Sequence, residues 1–143
     1  MKVVGGKFRG RNLIVPSDIR PAALRVKKAC FDILKGEIEG KKVLDLFAGS
    51  GSLGIEAFSR GASEAAFVDS SRNSINAIEK NVFTLSMGPC AKTCLKDSFS
   101  AIKDFFTYKK SFDLIFLDPP YYQGMARKAL QALSEYDLSL IHI

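Results

Sequence analysis

Residues 42–57, KVLDLFAGSGSLGIEA, pass from an apolar run through a glycine-rich turn into apolar residues at helical spacing. Lys42 to Phe47 reads as a β-strand and Ser52 to Arg60 as the helix that follows it. Gly49 and Gly51 stand where the chain must reverse; without a β-carbon they permit a tight turn and a close approach by a ligand. A strand that enters a helix through such a turn is the opening unit of a parallel α/β sheet.

The pattern repeats downstream. Ala65 to Asp69 reads as a strand and Ser71 to Phe83 as a helix capped by Ser70 or Ser71. A weaker strand covers about Ala91 to Leu95, a helix Ser98 to Phe106, a strand Phe112 to Leu117 and a last helix Gly124 to Ser134. The Phe112–Leu117 run is apolar on both faces apart from Asp113, as a buried parallel strand is. Strict alternation predicts a doubly wound sheet with helices on both faces. Four strands leave an apolar edge, so the reading expects the last strands to be missing from a C-terminally truncated chain.

Upstream, residues 2–15 place two β-rich pieces around a Gly-rich centre, which predicts a hairpin with Lys7, Arg9 and Arg11 near its tip. From Pro21 to about Lys35 an amphipathic helix is expected, apolar at Leu24, Phe31 and Leu34 and polar at Arg25, Lys27 and Lys28. The chain thus divides into a basic extension, residues 1–40, and an α/β domain, residues 41–143.

The 143 residues, 47% of them hydrophobic, suit one domain with a real core. The net charge of +6 is uneven: residues 1–42 hold eleven Lys or Arg against four Asp or Glu, while the remainder is nearly neutral. A basic flank on a neutral fold fits a polyanion-binding extension, and equally a solvated surface. Three cysteines, Cys30, Cys90 and Cys94, do not make a disulfide framework; buried small apolar roles are expected of them. With one histidine, His142, at the end of the chain, no metal site is expected. The start, Met-Lys-Val-Val-Gly-Gly, has no apolar secretory segment and no run has membrane-spanning length, so a cytoplasmic protein is expected.

In doubly wound sheets ligands lie beyond the carboxyl ends of the strands. Asp45 brings a negative charge to the glycine turn, which suits a cationic ligand such as S-adenosylmethionine better than a pyrophosphate. Gly49-Ser-Gly-Ser-Leu-Gly54 also satisfies the dinucleotide pattern G-x-G-x-x-G, and a turn serving only helix packing would satisfy it too. Asp69 ends the second strand, where an acid can accept from ribose hydroxyls. Asp97, before Ser98, is read either as an acceptor for adenine or as a helix cap. Asp118-Pro-Pro-Tyr121 follows the apolar fourth strand. A nucleobase amine is a poor nucleophile unless acceptors hold its N–H bonds and turn its lone pair toward the methyl carbon. Asp118 and the Pro119 carbonyl can do this, Pro119 and Pro120 fix the turn, and Tyr121 can stack on an extruded base.

Together these residues resemble the RsmD family of 16S ribosomal RNA guanine-N2 methyltransferases, over nearly the whole chain. The resemblance rests on Val4-Gly-Gly-Lys-Phe-Arg-Gly-Arg11, Arg20-Pro21, Arg25-Val26, Phe31, Leu34, the Asp45–Gly51 loop with Leu53-Gly54 and Glu56-Ala57, and Phe112–Tyr121. It implies a Rossmann-like class I methyltransferase fold. It implies that Asp45, Phe47, Ala48, Gly49, Gly51, Asp69, Ser70, Asp97 and Ser98 bind S-adenosylmethionine, and that Asp118, Pro119, Pro120 and Tyr121 hold the target guanine. Lys7, Arg9, Arg11, Arg20 and Arg25 would meet ribosomal RNA or the small ribosomal subunit, in a monomer without metal or membrane. The chain departs from the family pattern at Ala22, Ala23, Leu24 and Lys28, where the family carries Thr and Asp residues and an acid. Competing readings are a DNA adenine-N6 or cytosine-N4 methyltransferase, an inactive RNA-binding fragment and, more distantly, a nicotinamide oxidoreductase.

Overall fold

The computed structural model describes residues 1–18, 24–119 and 124–136. Helix α1 (Leu24–Ile33) precedes strand β1 (Lys42–Asp45), helix α2 (Ser52–Ser59), strand β2 (Glu64–Asp69) and helix α3 (Arg72–Thr84). A 3-10 turn (Gly88–Cys90) leads into strand β3 (Ala91–Leu95), followed by helix α4 (Ser98–Thr107), strand β4 (Leu114–Phe116) and helix α5 (Met125–Tyr136). The sheet is wholly parallel in the order β3-β2-β1-β4. β1 therefore has β2 on one side and β4 on the other, the topological switch at which such sheets open a crevice.

The side-chain period of two divides each strand between two cores. From β4, Leu114 and Phe116 join Phe31, Leu34, Ile38, Val43 and Ala57, which places α1 and α2 over one face. From β2, Ala65 and Phe67 join Ile55, Phe58, Ile75 and Ile78 of α2 and α3 on that same face. Leu44, Leu46, Val68 and Ile115 point the other way, to Ile102 of α4 and Leu133 of α5. Burying a side chain the size of Phe31, 0% exposed, stabilises the fold by roughly 2–3 kcal/mol.

The alternation of strands and helices is as expected, with β1 and β4 shorter than the apolar runs that announced them. The N-terminal extension differs more. The predicted hairpin contracts to one antiparallel bridge, Lys2 with Asn12, flanked by bonds from Val3 N–H to Arg11 O and from Leu13 N–H to Met1 O, because between them the amides of Val4, Gly5 and Phe8 turn to side chains of α2. The amphipathic helix begins at Leu24 among the described residues, and Pro21, Ala22 and Ala23 lie outside them. Phe31 and Leu34 are buried and Arg25 and Lys28 exposed as expected, but two positions differ: Leu24 is 53% exposed, and Lys27, expected on the polar side, is 0% exposed. Glu56 makes the burial of Lys27 tolerable, by offering it a buried carboxylate 3.1 Å away. The three cysteines are half-buried and unpaired, not fully buried as expected, since each sits at the margin of a core cluster.

Candidate active site at the carboxyl ends of the strands

The turn after β1 is held by side chains from three elements. Gly49 and Gly51 both take left-handed backbone, φ 57° and 80°, a region that disfavours residues with a β-carbon. Gly51 N–H closes the turn on Ala48 O at 2.8 Å. Asp69 Oδ2 accepts from Gly49 N–H at 2.9 Å while its Oδ1 accepts from Ser71 N–H at 2.9 Å. Asp45 Oδ2 accepts from Gly54 N–H at 3.0 Å, pinning the first turn of α2 to the end of β1. Gly54 serves packing: a β-carbon there would stand 2.4 Å from Phe67 Cε1.

Asp45 is 2% exposed. Burial pushes its carboxyl up to about 7; the Gly54 amide offsets part of this, and the charges of Asp118 and Asp69 push it further up. This revises the expectation of an open carboxylate at the turn, because Asp45 lies beneath the loop with one oxygen engaged. The strand order, with β1 between β2 and β4, brings the ends of these three strands together. Asp118 is solvent-accessible, yet the protein beneath it still raises its carboxyl by desolvation. The neighbouring Pro119 is half-buried. Pro120, Tyr121 and Arg20 lie outside the described residues.

The remaining expected cofactor residues border this cluster. Ala48 N–H bonds to Val68 O at 2.9 Å, Phe47 is half-buried and Ser70 is exposed. Ser98 Oγ donates to Leu46 O at 2.8 Å, which ties the start of α4 to the chain leaving β1. Asp97 is the N-cap of α4, accepting from Ser100 N–H at 3.1 Å, so its helix-cap reading holds in the structure.

The basic residues sit elsewhere. Lys7 N–H donates to the carbonyl of Ser59, the last residue of α2, and Lys7 Nζ lies 4.3 Å from the centre of the Phe58 ring. Arg11 Nη2 donates at 3.2 Å to the carbonyl of Thr84, the last residue of α3. Both therefore complement the negative ends of helix dipoles. Arg9 and Arg25 are exposed. Since α3 begins beside Asp69 and rises ~1.5 Å per residue, the far end that Arg11 meets lies about 20 Å from the acidic cluster.

Two buried polar residues escaped the sequence reading as organisers. Glu56, 0% exposed, accepts from the amides of Val4 and Gly5, from Lys27 Nζ and from Arg60 Nε. Asn81, 2% exposed, bonds to Ile14 and Ser50. The only available signal was a polar residue on the apolar face of each helix. Among the described residues, no group of His, Cys, Asp or Glu is arranged to hold a metal, and no helix is long and apolar enough to cross a membrane.

A parallel sheet in this order, with a glycine turn after its first strand and helices on both faces, is the class I methyltransferase fold. The model of the family described as conserved hypothetical protein 95 matches residues 1–139. Ribosomal RNA small subunit methyltransferase D of Haemophilus influenzae is 35% identical over 140 residues, covering 94% of this chain and 71% of that protein. The Escherichia coli K12 protein of the same name is 33% identical over 137 residues, covering 94% and 67%. The solved structure of a hypothetical protein from Thermus thermophilus has a TM-score of 0.85 at 30% identity, covering 97% of this chain and 80% of that one. The chain belongs to this family, that of the RsmD methyltransferases.

Proposed function

We propose that this protein transfers a methyl group from S-adenosylmethionine to the exocyclic N2 amine of a guanine in 16S ribosomal RNA. The observation that carries the reading is the convergence of Asp45, Asp69 and Asp118 at the glycine turn, close enough for the other two charges to raise Asp45. A cluster of acids at a crevice attracts a cationic nucleoside, and S-adenosylmethionine carries an ammonium and a sulfonium. Ser52 Oγ, buried in the first turn of α2, has no hydrogen-bond partner among the described residues and is free to meet a polar ligand. The residues fit the cofactor on both counts.

When bound, S-adenosylmethionine supplies the electrophilic methyl carbon. Asp69 retains lone pairs for ribose hydroxyls, because a carboxylate offers about four acceptor sites and the two amides use two of them. Asp118 and the Pro119 carbonyl accept the N–H groups of the target amine, leaving its lone pair to attack in line. The raised carboxyl of Asp118 suits the acceptor of the proton that the amine loses. Residues 1–40 act as the RNA-binding extension, through Lys7, Arg9, Arg11, Arg20 and Arg25. The placing of Arg11 about 20 Å from the acids fits a large folded RNA better than a short oligonucleotide. The names of the relatives support ribosomal RNA as the substrate.

The test is titration with S-adenosylhomocysteine, with NADH as control, followed by methyl transfer to small ribosomal subunits and nucleoside analysis of the product. Binding of the first ligand alone and formation of N2-methylguanosine are expected. Methylated plasmid with unmodified subunits would move the substrate to DNA, and RNA affinity without cofactor binding would leave an inactive RNA-binding fragment.

A further inference from the structure

Asn81 lies on α3, remote in sequence from both the glycine turn and the N-terminal extension, yet its amide bonds to both. Its Oδ1 accepts from Ile14 N–H at 2.8 Å, and its Nδ2 donates to Ile14 O at 3.0 Å and to Ser50 O at 3.3 Å. The first two bonds pair the amide with the backbone of Ile14 as a neighbouring strand would. The third reaches the middle residue of Gly49-Ser-Gly51, whose flanking residues take φ 57° and 80°. Exposures of 2% at Asn81 and 4% at Ser50 mean that water does not replace the bond between them. The amide's orientation is fixed, because only its oxygen can meet the Ile14 N–H and only its nitrogen the two carbonyls.

The turn is thus held at Gly49 N–H by Asp69 and at Ser50 O by Asn81, while Asp45 fixes Gly54 just beyond it. Two of these groups are acids already read as cofactor residues, and the third is a neutral amide that also grips the N-terminal extension. We infer that Asn81 is a positioning residue for methyl transfer: it sets the peptide of Ser50 in the cofactor turn and registers that turn to the extension at Ile14. The inference rests on the proposed cofactor site and adds a residue that acts through the turn without touching the substrate. Asparagine alone fits the role. Aspartate keeps the acceptor for Ile14 but loses both donors, and it turns a carboxylate oxygen toward the Ser50 carbonyl.

The experiment compares Asn81→Leu, Asn81→Asp and a control, Leu85→Ala, in titrations with S-adenosylhomocysteine well below each melting temperature. Leu85, 4% exposed, is the C-cap of the same helix and belongs to the same core, so its truncation destabilises α3 without reaching the turn. Both Asn81 variants are expected to bind at least tenfold more weakly, while Leu85→Ala, despite an equal or larger fall in melting temperature, stays within twofold. The KM for S-adenosylmethionine should rise in the same order. Folded Asn81 variants with the affinity of the parent overturn the inference and make Asn81 a purely structural residue. If neither Asn81 variant folds, Asn81→Ala, which removes the bond to Ser50 O while keeping a strong helix former in α3, takes their place under the same criterion. Failure of the parent itself to bind S-adenosylhomocysteine overturns the cofactor reading instead, so the two failures are distinguishable.

Discussion

Lys27 Nζ lies 3.1 Å from Glu56 Oε1, and both side chains are wholly removed from solvent. Burial pulls the Lys27 ammonium below its ordinary value, and Glu56 offsets only part of that. Burial alone would raise Glu56, but the Val4 amide, Arg60 and Lys27 outweigh it and hold its carboxyl below the ordinary range. The pair is therefore asymmetric: Glu56 keeps three other donors if Lys27 is lost, whereas among the described residues Lys27 without Glu56 keeps only the carbonyl of Lys2, at 3.4 Å.

From that asymmetry, Glu56→Ala should cost about 3–5 kcal/mol in urea denaturation and Lys27→Met distinctly less. Adding Lys27→Met to Glu56→Ala should restore part of the loss. Limited trypsin digestion checks where the damage falls, with faster cleavage after Lys2, Lys7 and Arg9 expected in Glu56→Ala. A Lys27→Met variant less stable than Glu56→Ala would mean that Glu56 is not the hub.

Asp45 gives a pH dependence of definite sign. Its carboxyl titrates at about 7 in the folded chain against 3.8 as the ordinary value, so the folded state binds the proton more tightly. The stability this contributes is present in full below pH 3.8 and is lost as pH rises through about 7. Asp45→Asn keeps an acceptor for Gly54 N–H and removes the titration. Its stability relative to the parent should grow between pH 5 and pH 8, by at most about 3 kcal/mol. Parallel pH–stability curves for parent and variant would remove burial as the cause.

Gly54→Ala should destabilise the fold by about 1–3 kcal/mol, since the new methyl group meets the Phe67 ring edge at 2.4 Å. Phe67→Leu, costly alone, should cost less in the Gly54→Ala background. A double-mutant cycle by thermal denaturation reads the coupling.

Alanine at Lys7 or Arg9 should weaken RNA binding without changing the affinity for S-adenosylhomocysteine. Removing one cation from the phosphate backbone should lower the slope of log affinity against log salt by about 1. Filter binding across a salt series measures it, and unchanged slopes would confine both residues to the N-terminal turns in which they lie.

The α/β framework was legible because its signal is local. Glycines at 49 and 51 and the apolar run at 114–116 announce a turn and a buried strand whatever surrounds them. Asp45, Asp69 and Asp118 were legible for a topological reason, since each ends or follows a strand of a parallel sheet. What Asp45 does there was not legible: that it bonds Gly54 and titrates near neutrality depends on depth, which no pattern records. Lys27 was assigned to the wrong face because helical periodicity treats lysine as polar, and only a partner on another helix makes its burial tolerable. Asn81 and Glu56 act across more than 50 residues of sequence, and neither lies in a motif whose spacing could have exposed it.

The same separations set an order of events during synthesis. Val4 waits for Glu56 and Ile14 for Asn81, 52 and 67 residues further along the chain. At about 5–20 residues per second, residues 4 and 14 spend several seconds of synthesis without these partners. For that interval the growing chain exposes a basic, glycine-rich segment beside the ribosome's own RNA, and α2 and then α3 give that segment its places to settle.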